Sequence, residues 1–109
     1  MNTDKAQFSV RMNTELVAFL GKVLPHRTSR IEAYTDLLNE QLKMLEIEFE
    51  GGKSVPFLVK FLELTERWNW GRNTVIRFLQ SLEKYGAIEV KRCQDGTLIR
   101  VLNISQDTP

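Results

Sequence analysis

Residues 64–88 read LTERWNWGRNTVIRFLQSLEKYGAI, and this stretch decides the fold. A helix over about 72–84 is predicted because apolar residues recur at the i, i+3, i+4 and i+7 spacing of one helix face. These residues are Val75, Phe78, Leu79 and Leu82. Asn69-Trp70-Gly71 separates this helix from an earlier one that contains Trp68, and Gly86 is placed to stop it. The stretch therefore predicts two helices joined by a tight turn.

Two further helices are predicted upstream, each beginning at a polar cap. Asn13 can cap a helix that runs to about Leu24. Ser29 and Glu32 have the spacing of a capping box, in which each side chain bonds the other residue's backbone N–H. A helix from this box is expected to run to about Met44.

The sequence LEIEFE, residues 45–50, alternates between apolar and acidic residues. This period of two predicts a short strand with one buried face. The helix start near Pro56 stays open, because proline can occupy a first helical turn or end an extended stretch.

Two β-prone runs, residues 87–93 and 97–104, flank Gln94-Asp95-Gly96 and predict a hairpin. A two-residue turn at Asp95-Gly96 would place Lys91 directly opposite Arg100. Like charges opposed across a ladder repel, so an anionic partner such as a phosphate between them would relieve the strain. A three-residue turn shifts the register and weakens this hypothesis.

Residues 64–88 also resemble the winged helix-turn-helix proteins of bacterial phages and mobile elements. The shared pattern includes Trp68-x-Trp70, the Val75 to Leu82 stripe and Gly86-x-Ile88. Gly71 stands where the pattern has a serine cap, so the second helix can start at Arg72 or at Asn73. The resemblance implies an α+β winged helix-turn-helix fold, with an extra N-terminal helix.

This organisation predicts one domain over residues 13–104. The helix-turn-helix is expected over about 57–85 and the hairpin wing over 87–104. Residues 1–12 are expected to form an arm and residues 105–109 a polar tail.

Charge is unevenly distributed along the 109 residues. Arg67 to Arg100 contains seven bases and three acids, a net charge of +4, whereas residues 1–66 contain eight bases and ten acids, a net charge of −2. A basic third in a nearly neutral chain is compatible with a surface that faces phosphates.

The outward side of the helix predicted over about residues 72–84 supplies candidate DNA contacts. Arg72, Asn73 and Arg77 are assigned to base reading, because arginine pairs with guanine and asparagine with adenine at the start of a recognition helix. Thr74 and Lys84 are assigned to phosphate or base contact. The complete candidate set is Arg67, Arg72, Asn73, Thr74, Arg77, Lys84, Lys91, Arg92 and Arg100.

Other classes of function receive little support. Cys93 is the one cysteine and His26 the one histidine, so no disulfide, metal quartet or nucleophile–base pair is expected. We expect no enzyme activity, cofactor, membrane segment or small-molecule substrate, and a cytoplasmic location.

The sequence thus predicts a double-stranded DNA-binding regulator of transcription or replication in a phage or mobile element. The alternative is a winged-helix docking module that binds protein and not DNA. A homodimer or larger assembly is expected. The candidate association surfaces are the N-terminal helix, Asn13 to Leu24, and the wing residues Leu98 and Leu102.

Overall fold

The computed structural model describes residues 7–22, 28–48 and 55–107. Within these ranges the chain is an α+β domain of four helices, a three-stranded antiparallel sheet and a two-stranded ribbon. The elements in chain order are β1 Gln7–Val10, α1 Thr14–Leu20, α2 Arg30–Glu48, β2 Phe57–Val59, α3 Phe61–Trp68, α4 Arg72–Lys84, β3 Ile88–Cys93, β4 Gly96–Val101 and β5 Ile104–Asp107.

Helix α1 begins at the predicted cap. The Asn13 side-chain oxygen accepts a hydrogen bond from the Leu16 N–H at 2.8 Å. The Asn13 amide nitrogen donates to the Tyr85 carbonyl at 3.1 Å, just beyond the end of α4. One side chain therefore caps α1 and ties its start to the end of α4.

The end of α1 differs from the prediction. The helix stops at Leu20 and not near Leu24, and the Gly21 N–H closes it by bonding the Val17 carbonyl at 3.0 Å. Glycine is a poor helix former, which accounts for the earlier stop. His26 lies outside the described residues.

The capping box at the start of α2 is confirmed. The Ser29 hydroxyl accepts from the Glu32 N–H at 3.2 Å, and the Glu32 carboxylate accepts from the Ser29 N–H at 2.9 Å. Hydrogen bonding with Ser29 holds the pKa of Glu32 below its ordinary value of 4.5. The bond from the Ser29 backbone has the larger effect, and the bond with the Ser29 side chain has the smaller one.

The prediction of a strand over residues 45–50 is wrong for Leu45 to Glu48, because these residues form the last turn of α2. Phe49 and Glu50 lie outside the described residues. The alternation also satisfies a helix, because Leu38, Leu42 and Leu45 continue the helical spacing and leucine and glutamate are strong helix formers.

The strand before helices α3 and α4 is instead β2, which follows Pro56 directly. It pairs antiparallel with β4, and β4 pairs with β3, so the order in the sheet is β2-β4-β3. Buried Gln41 of α2 joins these parts by donating to the Val55 carbonyl and accepting from the Val101 N–H, each at 2.7 Å.

Gly86 ends α4 as predicted. Its φ of +73° suits glycine, and its N–H bonds the Glu83 carbonyl at 3.0 Å while the Ala87 N–H bonds the Leu82 carbonyl at 2.8 Å. These two bonds make a Schellman motif, which turns the chain directly from α4 into β3.

The segments assigned to an arm and a tail meet. Residues 7–10 pair antiparallel with residues 104–107 as the β1–β5 ribbon. Asn103, at φ +64°, precedes this ribbon and donates its amide to the Gly86 carbonyl at 3.0 Å. The ribbon is thereby anchored beside the end of α4.

The core lies between the helices and one face of the sheet. It includes Leu37 of α2, Leu64 of α3, Val75 of α4 and Ile99 of β4, all buried. In the described part of the chain, no helix has the length and apolar character needed to cross a bilayer. The element order and sheet topology are compatible with a winged helix.

Candidate nucleic-acid interface

Helix α4 separates an apolar stripe from a polar one. The predicted inward residues are all buried: Val75, Phe78, Leu79 and Leu82. The opposite side presents a line of exposed polar residues at one-turn spacing, namely Asn73, Arg77, Gln80 and Lys84. The predicted division of the helix into a packed and an outward face is confirmed.

The N-terminus of α4 is open to an external acceptor. The helix starts at Arg72, with Gly71 as its N-cap and the Gly71 carbonyl accepting from the Val75 N–H at 3.1 Å. No side chain among the described residues caps this end, and no acidic residue lies in the first turn. First-turn N–H groups have no partner within their helix, and the dipole makes this end partly positive.

Two tryptophans fix the angle between α3 and α4. Trp68 and Trp70 are buried and meet the Phe78 ring edge-on, with centroid distances of 5.6 and 5.0 Å. The Trp68 indole donates to Asp36 at 2.7 Å and the Trp70 indole to the Thr28 carbonyl at 2.8 Å. Both rings therefore have scaffold roles.

Arg72 and Arg92 converge on Phe61. Their guanidinium carbons lie 5.6 and 5.2 Å from the Phe61 ring centroid, within cation–π range. Lys60, the N-cap of α3, borders the same depression of about 510 Å³. We call this depression the wing cleft; Asp95 is the one acidic residue among those that line it.

The hairpin register corrects the predicted like-charge pair. The connection is Gln94-Asp95, with Cys93 opposite Gly96, so Lys91 faces Leu98 and Arg100 faces Glu89. Arg100 forms a salt bridge with Glu89. The predicted direct opposition of Lys91 and Arg100 is therefore wrong, and the strain that a phosphate would relieve does not exist.

Gly96 lies in β4 and not in the turn, and β2 passes close beside it. A Cβ at Gly96 would lie 3.0 Å from the Val59 carbonyl oxygen and 3.3 Å from the Leu58 side chain, and its φ is +149°. Because glycine has no Cβ, the backbone of β4 can lie close to β2 at this position.

The two faces of the hairpin point toward different surroundings. Arg92 pairs with buried Thr97 on the face toward the helices, which places it at the wing cleft. Lys91 and Arg100 project from the opposite, outer face, along with Leu98. Arg92 therefore lies on the opposite face of the hairpin from Lys91 and Arg100.

The remaining candidates differ in their surroundings. Arg67 is ion-paired with Asp36 at 2.9 Å and with Glu63 at 3.6 Å, so its charge is compensated. Thr74 is half-buried on the side of α4 that faces α1 and α2, in a small pocket that Arg77 also lines.

Lys60 and Phe61 were missed by the sequence analysis. A lysine before a helix is a weak signal by itself, and the meeting of Phe61 with Arg92 depends on the hairpin folding back over α3. Comparisons with protein-family models, with curated proteins and with solved structures each found no match.

Proposed function

We propose that this chain is a winged-helix domain that binds double-stranded DNA, with α4 in the major groove and the hairpin beside it. The observation behind the proposal is the convergence of Arg72 and Arg92 at Phe61, next to the uncapped start of α4. Two elements distant in sequence thereby direct positive charge to one place. A helix N-terminus with nearby guanidinium groups is a favourable setting for phosphate.

The outward face of α4 is suited to reading bases. An α-helix with its side chains is about 10–12 Å across, which matches a major groove about 12 Å wide. Asn73 and Arg77 are exposed one turn apart near the N-terminal end, where recognition helices reach base edges. We assign base contacts to these two residues and backbone contacts to Lys60, Arg72 and Arg92.

Arg67, Lys91 and Arg100 are omitted from the proposed contacts. Carboxylates already compensate Arg67 and Arg100, and Lys91 shares the outer sheet face with Arg100. A role as a regulator of transcription or replication in a phage or mobile element follows from the sequence resemblance.

Fluorescence anisotropy with a labelled random-sequence duplex, measured over a salt series, tests this function. Three phosphate contacts, each adding about 0.9 to the slope of log K against log salt, weaken binding by about fortyfold between about 50 and 200 mM salt. A steep slope of this kind is expected. Absence of binding at the lowest salt would exclude DNA binding and favour the protein-docking alternative.

A further inference from the structure

A small pocket lies on the side of α4 away from the wing cleft. Its volume is about 150 Å³, and its walls include the aromatic rings of Phe19, Trp70 and Phe78. Thr74 and Ser81 of α4 line it too. Ser81 is roughly two and a half turns from Arg72, so the two side chains project from opposite sides of the helix.

The polar groups of this pocket are anion-binding in type. They are two guanidinium groups, from Arg30 and Arg77, and two hydroxyls, from Thr74 and Ser81. No carboxylate occurs among the residues that line it. Guanidinium and hydroxyl donors are the side chains that proteins use against phosphate oxygens.

Arg30 is held in position for such a contact. Its Nη1 donates to the Phe19 carbonyl at 3.1 Å, and its guanidinium carbon lies 4.1 Å from the Phe19 ring centroid. Because a guanidinium has five N–H donors, this bond does not use up its capacity to bind an anion. Arg30 lies in the first turn of α2, outside the basic segment that the sequence analysis singled out.

The pocket is large enough for a phosphate group. Its volume is about 150 Å³, and a phosphate group has five heavy atoms.

We infer that this pocket binds a backbone phosphate of the DNA strand across the major groove from the wing cleft. The inference rests on the proposed function, since a helix in the groove has one backbone on each side. Arg72 and Arg92 contact the strand on one side of α4, and Arg30, with the two hydroxyls, contacts the other, while Arg77 at the rim of the pocket keeps its base contact. Both strands are thus held while α4 faces the bases between them.

The salt dependence of duplex binding tests this inference in Arg30→Gln, Ser81→Ala and the matched control Lys43→Gln. Lys43 is exposed on α2 and paired with Glu40, so its replacement removes the same charge away from the pocket. Each lost phosphate contact lowers the slope of log K against log salt by about 0.9. Wild type should therefore lose about 3.5-fold more affinity than Arg30→Gln between about 50 and 200 mM salt, and Lys43→Gln should match wild type.

Ser81→Ala keeps the charge and the fold and removes one donor, so it should weaken binding without changing the slope. An unchanged slope for Arg30→Gln together with unchanged affinity for Ser81→Ala would overturn the inference, provided that Arg72→Ala still lowers the slope. Failure of the wild type to bind duplex would instead overturn the proposed function and this inference with it. Thermal melting of each variant separates loss of contact from loss of fold.

Discussion

Arg72, in the first turn of α4, and Arg92, near the tip of the hairpin, place their guanidinium groups beside the same aromatic ring. Neither has a carboxylate partner among the salt bridges of the described residues, unlike Arg67 and Arg100. The Phe61 ring holds both cations without neutralising them. Two uncompensated positive charges therefore lie where α4 begins.

Arg72→Ala and Arg92→Ala should each weaken duplex binding and lower the salt slope by about 0.9 per phosphate contact. The matched comparison is Arg100→Ala, since Arg100 lies on the outer sheet face in a salt bridge with Glu89. Anisotropy over a salt series measures all three. Equal losses in the three variants would indicate a general charge effect and count against the wing cleft.

Asn73→Ala and Arg77→Ala should change which sequences are bound. Each bidentate base contact contributes about 1–3 kcal/mol of discrimination, so loss of one relaxes specificity at one or two positions. Selection from a random duplex pool measures this, with Gln80→Ala as a comparison from the same exposed face. Identical enriched sequences from wild type and Arg77→Ala would remove Arg77 from base reading.

Tyr34→Phe should stabilise the fold by about 1 kcal/mol at neutral pH. The Tyr34 hydroxyl is buried with no hydrogen-bond partner among the described residues, and an unsatisfied buried hydroxyl destabilises a fold. Urea unfolding at pH 7 measures the change, with Tyr85→Phe as the half-buried comparison. A loss of stability in Tyr34→Phe would mean that the hydroxyl has a partner.

The same residue predicts a pH dependence. Burial raises the pKa of Tyr34 above its ordinary value of 10.0, so the unfolded chain releases this proton first. The stability of the fold therefore does not depend on the titration of Tyr34 below pH 10, and it falls as the pH rises from 10 through the folded-state pKa. The stability difference between Tyr34→Phe and wild type should grow above pH 10, which urea unfolding at several alkaline pH values would measure.

Gly96→Ala should destabilise the fold by about 1–3 kcal/mol, within the range for backbone strain. The added Cβ would lie 3.0 Å from the Val59 carbonyl oxygen at a φ of +149°. Gly71→Ala is the matched control, because nothing lies within 4 Å of its Cβ position and its φ is −71°. Thermal unfolding measures the stability of both variants. Equal losses of stability in Gly96→Ala and Gly71→Ala would contradict this account of Gly96.

Local patterns predicted the helices better than the sheet. The α4 stripe, the Ser29–Glu32 capping box and the Gly86 stop each depend on neighbouring residues, and each is confirmed. β2 has three residues, too few to show a period of two, and it becomes a strand by pairing with β4. LEIEFE was misread because six residues fit either period.

The candidate site was predicted in part for a similar reason. The outward face of α4 follows from helical spacing, so the exposure of Asn73 and Arg77 was predicted from sequence alone. The third strand of the sheet is added by the pairing of β4 with β2, a tertiary contact that no local pattern shows. Phe61 and Arg30 acquire their places beside Arg92 and Phe19 through tertiary packing.

Amide NMR of the isotope-labelled chain, titrated with a short duplex at low salt, tests the central claim most directly. Binding through α4 and the wing cleft predicts shifts concentrated at Arg72 to Arg77 and at Arg92. Leu98 and Arg100, on the outer sheet face, should remain unchanged and serve as internal controls. A spectrum unaffected by duplex, or shifts confined to Leu98 and Arg100, would contradict the assignment of this surface to DNA.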